Sequence, residues 1–183
     1  MAHAVAGISK RILVNSSLIK SSDIAGLERS GRSPSLQRPL TSFLSLSGHA
    51  MVLVFFPVHF LVHRYYPTLP ISSISSVGPS SLDYEFVKYG LHIWPWRSWF
   101  FYISIIGSVA LHAADGTTLI WNTWFKNGWG KLSRKTCRVI AIGGIVVPVL
   151  SGLVVMVREP LFIMSFLANR YRATYMQSFV FRV

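Results

Sequence analysis

The sequence predicts an all-α integral membrane protein, a helical bundle of three transmembrane helices with an interfacial helix at its C-terminus. Three observations carry that prediction. The 183 residues are 51% hydrophobic and only 13% charged, where a soluble chain carries about 25% charged residues. Mean hydropathy is +0.46. The apolar residues gather in three runs bounded by Lys or Arg, the flanking pattern of membrane spans. A soluble domain of this size needs a polar shell that so few charges cannot make, so a single membrane domain is expected.

Residues 1–37 are Ser-rich and basic, with Lys10, Arg11, Lys20, Arg29 and Arg32 against Asp23 and Glu28. Ile12-Leu13-Val14 is too short for the apolar core of a secretory signal. Arg and Ser content also allows a presequence, but the two acids argue for a disordered tail. Residues 38–158 form the expected membrane domain. Its spans run over 41–62, between Arg38 and Arg64; 98–121, between Arg97 and Lys126; and 136–157, between Lys135 and Arg158. Each holds about 22 to 24 residues, enough to cross a ~30 Å hydrocarbon core at ~1.5 Å per residue. In lipid the backbone must satisfy its own polar groups, so the runs are helices. Pro57 and Pro148 lie inside spans one and three and should bend them.

The stretch 65–97 is rich in Pro and Ser and reads as an irregular polar loop. It ends in Trp94-Pro95-Trp96 with Trp99, an expected aromatic belt. After Pro160 the apolar run 161–167 is too short to span. With Arg170, Tyr171, Arg172 and Tyr175 it makes 159–183 an amphipathic interfacial tail. Basic bias places the N-terminus and the loop holding Lys126, Lys131, Arg134 and Lys135 on one side, and the C-terminus on the other.

Net charge is +12. The basic residues cap apolar runs and no nucleic-acid-reading motif is present, so the expected contact is membrane lipid and no nucleic acid is expected. Cys137 is the one cysteine, which excludes an internal disulfide framework. No Gly-x-Ser-x-Gly, HExxH or phosphate loop occurs, and the chain is not expected to be an enzyme.

Ionisable groups inside spans are functional candidates. Here they are His49, His59, His112 and Asp115, with His63 at the end of span one. His59 and His63, four apart, share a face. His112 shares a face with Ser108, Asp115 and Gly116, and Asp115 is within reach to orient it. Two histidines at one depth on facing helices could ligate haem iron. Alternatively they hydrogen-bond helix to helix. Counted from Arg97 and Arg64, His49 and not His59 is level with His112.

Leu44-Ser45-Leu46-Ser47-Gly48, then His59, Arg64 and Pro67, resembles the signature of fungal mitochondrial outer-membrane adaptor membrane domains. Asp83-Tyr84-Glu85-Phe86-Val87, Gly90-Leu91, Trp99, Tyr102, His112 and Gly116 continue the pattern over roughly residues 40–157. The resemblance implies a mitochondrial, outer-membrane, multi-pass adaptor in lipid homeostasis. Its implied partner is a bridge-like lipid-transfer protein, and self-association into a homo-oligomer is a further expectation. Ser47, Gly48, His59, Arg64, Pro67, His112 and Gly116 are its motif residues. The chain departs from the family in holding one membrane unit instead of two, and in lacking a Pro-x-Pro peptide. A truncated relative without independent function is therefore an alternative. His112-Ala-Ala-Asp-Gly116 with Trp121 is also similar to the cytochrome b subunits of succinate dehydrogenase and fumarate reductase. That similarity implies His112 as an axial ligand of haem b, in a respiratory-complex anchor, with His49 or His59 as the candidate second ligand. In the leading reading no cofactor is expected.

Overall fold

A computed structural model describes residues 43–74, 78, 82–125 and 130–182, with four further positions, Ala6, Ser9, Ile12 and Leu13. Those four are helical where an unstructured tail is expected, and the rest of that expectation lies outside the described residues. The chain divides into a unit of residues 1–39 and a unit of residues 40–183. The second carries all that follows.

It is all-helical, with no strand among the described residues. Three helices are long and apolar enough to cross a membrane: α1 (Phe43–Thr68), α3 (Pro95–Trp124) and α4 (Arg134–Arg158). Two shorter helices complete it, α2 (Tyr84–Ile93) and α5 (Ser165–Tyr175). The expected spans sit inside these three helices, apart from residues 41–42, which lie outside the described residues.

The central helix is α3, which packs on α1 along one face and on α4 along another. Against α4 it turns Ala110 and Ala114, which meet Ala141, with Cys137 and Val146 beside them. Small side chains let two helix backbones approach closely, which is how helices associate without a hydrophobic drive between them. Against α1, Phe55 makes edge contacts with Phe100 and Phe101 at 6.0 Å.

The prolines in α1 and α4 leave a specific mark. Each of these two helices contains wide π-type turns, at Met51–Phe55, Leu61–Tyr65 and Ile142–Val146. Each ends two residues before a proline: Pro57, Pro67 and Pro148. A proline ring clashes with the carbonyl four residues earlier, here that of Leu53, His63 or Gly144, and each of those lies inside the widened turn. The helices absorb their prolines by widening the turn before them.

The stretch expected to be an irregular loop contains α2. Asp83 caps it, its Oδ1 accepting the Glu85 N–H at 2.9 Å, which satisfies one of the open donors of a helix start. Phe86, Tyr89, Gly90 and Leu91 are buried. At the far end the Ser98 hydroxyl donates to the Gly90 carbonyl at 2.7 Å, closing the α2–α3 corner where Pro95 begins α3. Trp94 is buried inside this corner and Trp96 is 88% exposed. The Trp94-Pro95-Trp96 sequence is thus half core and half surface, not a continuous belt.

The C-terminal helix begins at Ser165, not 161; the four residues Leu161–Met164 before it are non-helical. Its tyrosines Tyr171 and Tyr175 are buried against Phe86, Tyr89, Trp94 and Phe181, with Val58 and Val62 of α1 beneath. Of the residues expected at the interface, the two tyrosines are covered by protein, while Phe162, Met164 and Phe166 are exposed. Together α2, α5, the residues after α5 and the end of α1 make one aromatic cap.

Candidate functional site

The polar residues of α1 and α3 fall into two clusters, one near each end of α1. At the start of α1, the Leu44 carbonyl accepts from His112 Nδ1 at 3.0 Å and from the Ser47 hydroxyl at 3.2 Å. The His112 ring lies against Gly48. A Cβ on that glycine would sit 2.6 Å from His112 Cε1 and 2.8 Å from Nδ1, closer than real Cβ contacts. Three motif residues, Ser47, Gly48 and His112, therefore form one helix–helix joint, with glycine making room for the imidazole. Gly116 takes no part, since a Cβ there would meet nothing within 4 Å.

Beside this joint, Asp115 receives a two-pronged hydrogen bond from Arg138 of α4, Nε to Oδ1 at 2.8 Å and NH2 to Oδ2 at 2.7 Å. The aspartate is buried; the arginine side chain is 33% exposed. The same guanidinium lies over the Phe43 ring of α1, 4.4 Å from its centroid. One arginine thus touches all three long helices. In the sequence Arg138 reads only as one of the basic residues that flank an apolar run. The signal available was only that Arg138 stands one turn inside an apolar run.

His49 is one residue from Gly48, so His112 lies at the level of His49, as counting depth along the helices gives, and about 16 Å from the level of His59 at ~1.5 Å per residue. The His49 ring nitrogen Nδ1 meets the Ser45 carbonyl of its own helix at 2.6 Å. The packing does not fit a haem between His49 and His112. The imidazole of His112 rests directly on Gly48, where a porphyrin would have to enter.

The second cluster lies towards the cap. The rings of His59 and His63 stack at 4.4 Å, 30° apart. Tyr102 of α3 places its hydroxyl 3.0 Å from His63 Nε2. Behind it, the Tyr175 hydroxyl donates to the Phe86 carbonyl at 3.1 Å. A cavity of about 20 Å³ opens here, lined by His59, His63, Tyr102 and Tyr175 among apolar neighbours. Pro67 is buried just beyond and Arg64 is exposed.

In the cap proper, Lys88 is fully buried. Its ammonium donates to Glu85 Oε1 at 2.8 Å and to the Pro160 carbonyl at 2.8 Å. The buried tyrosines of the cap resist ionisation. Burial pushes Tyr171 up to about 12, helped by the Asp83 and Glu85 carboxylates. Burial also raises Tyr175 well above the usual tyrosine range, and raises Tyr89 against the opposing pull of Arg172.

No protein-family model, characterised protein or solved structure matches the chain.

Proposed function

We propose that the chain is a multi-pass membrane adaptor, seated in the mitochondrial outer membrane, that serves lipid homeostasis by holding a lipid-transfer protein at the bilayer. One observation carries the reading: the polar groups of the joint bind helix to helix. Asp115, Arg138 and His112 are engaged in ties between α1, α3 and α4. A bundle built this way is an anchor that presents its ends to partners. The exposed apolar residues of α4, among them Val139, Ile140, Ile145, Val147 and Val155, favour a lipid surround over water. The adaptor-like motif residues favour this anchor over others of the same shape.

The test is expression of the N-terminally tagged chain in fungal cells that lack the adaptor. Mitochondrial co-localisation, a tag cleaved by protease on intact mitochondria, and a restored lipid profile are the expected results. A tag protected until the outer membrane is ruptured overturns the outer-membrane, N-terminus-out placement. A correctly placed chain that leaves the lipid profile defective overturns independent adaptor function.

A further inference from the structure

The segment between α4 and α5 carries a surface that the cap does not use. Glu159 and Met164 hold extended backbone, with ψ of 143° and 144°, and side chains along an extended segment alternate in direction. Leu161 and Ile163 pack on the aromatic cluster of the cap. Phe162 and Met164 turn the other way and are 80% and 70% exposed, and Phe166 in the first turn of α5 is exposed beyond them. Three large apolar side chains thus stand close together on the outer surface of the cap.

We propose that this strap, residues 161–166, binds a phospholipid bilayer surface, with Phe162, Met164 and Phe166 inserted at the boundary between headgroups and acyl chains. The inference rests on the reading of the long helices as membrane spans. Depth names lipid as the occupant. α1 holds 26 residues, about 39 Å of helix against a ~30 Å hydrocarbon core, so roughly 4 to 5 Å stands outside at each end. The strap packs on the same cluster as Val58 and Val62 of α1. These lie ten and six residues before the end of α1 at Thr68, about 15 and 9 Å along the axis. The cluster therefore reaches down to the outer acyl chains, and the medium beside its outer surface is lipid. The extended strap makes this contact, and not helix α5, whose tyrosines face the protein.

The strap is built for a shallow seat. Non-helical backbone at membrane depth needs polar partners. Pro160 brings no N–H, and its carbonyl accepts from the buried Lys88 ammonium at 2.8 Å. The Met164 carbonyl accepts from the Leu167 and Ala168 N–H groups at 3.0 and 2.9 Å. Water among the headgroups serves the backbone between them, and the side chains alone reach the acyl chains, as in other elements that lie in the interface. Arg158 and Arg170 flank the strap. The Arg170 guanidinium lies 5.7 Å from the Phe166 ring centroid, where it can meet lipid phosphate. The acid of the segment, Glu159, is turned to Lys88 at 3.9 Å.

The experiment places a nitroxide spin label at Phe162→Cys or Met164→Cys, each in a Cys137→Ser background, on the full chain reconstituted in phospholipid vesicles. Electron paramagnetic resonance compares collisions of the label with oxygen, which concentrates in acyl chains, and with a water-soluble nickel chelate. Ile145→Cys, exposed within α4, is the reference for the lipid interior. Oxygen collisions are expected to exceed nickel collisions at 162 and 164, by a smaller factor than at 145. Nickel excess at 162 and 164 with Ile145→Cys in lipid overturns the strap and leaves the spans standing. Few collisions with either reagent at 162 and 164 show a surface covered by a second copy of the chain, and overturn it as well. Nickel excess at 145 overturns the membrane reading and the strap with it. Phe162 and Met164 are both exposed, so the label replaces no packing of the cap.

Discussion

Asp115 shows at the scale of one residue why the bundle is held where it is. It lies nine residues before the end of α3, about 14 Å along the axis, and is buried at 4% exposure. A buried carboxylate is tolerable only with a partner. Removing that partner costs more than the pair contributes, because the charge left behind keeps its desolvation penalty. Arg138→Met is expected to lower stability by about 3 kcal/mol, and Asp115→Leu/Arg138→Met to recover most of the loss. Thermal unfolding in detergent, followed by tryptophan emission, reads both; a double variant no better than the single removes the argument. The ion pair was not legible in the sequence. Its members are 23 residues apart on different helices, and an arginine at a span end has an ordinary flanking role that hides a specific one. The Gly48–His112 joint was half legible: counting depth found the level, but only the packing shows that the glycine receives the ring.

Among the elements, the long helices and the existence of a C-terminal helix were legible, and α2 was not. Charge-bounded apolar runs report helices long enough to cross a bilayer directly, because their length is set against its thickness. The start of α2 was written in Asp83 and its stripe in Phe86, Tyr89, Gly90 and Ile93. It was masked by the Ser and Pro residues before it and by Glu85 and Lys88 within it, whose burial only the cap explains. The same cap has a pH signature. Unfolded tyrosine ionises near 10, whereas folded Tyr171 is held at about 12. Below pH 10 both states keep the proton and the contribution is whole. Above it the unfolded chain releases protons that the folded chain retains, so stability falls as pH rises from 10 through 12. Thermal scans across that window are expected to show a falling Tm, and a Tyr171→Phe variant to show a shallower fall. Equal slopes would remove Tyr171 as the cause.

For the molecule as a whole, the helix directions put the two connections at opposite ends. The α3–α4 connection, with exposed Lys131, Arg134 and Lys135, adjoins the start of α1, and the cap adjoins its end. In sealed vesicles a membrane-impermeant maleimide is expected to label Lys131→Cys and Phe179→Cys, each in a Cys137→Ser background, from opposite faces. Labelling of both from one face would sink the three-span arrangement. The lysine at the centre of the cap also sets an order of events. Lys88 reaches a carbonyl 72 residues further along the chain. At ~5–20 residues per second the ribosome takes about 4 to 14 seconds to make that partner, and α3 and α4 are synthesised in between. The ammonium of Lys88 must stay hydrated, or lean on Glu85 alone, for all of that time. Closure of the cap therefore waits for the chain beyond α4, and a nascent chain stopped before Pro160 has that end of the bundle still open.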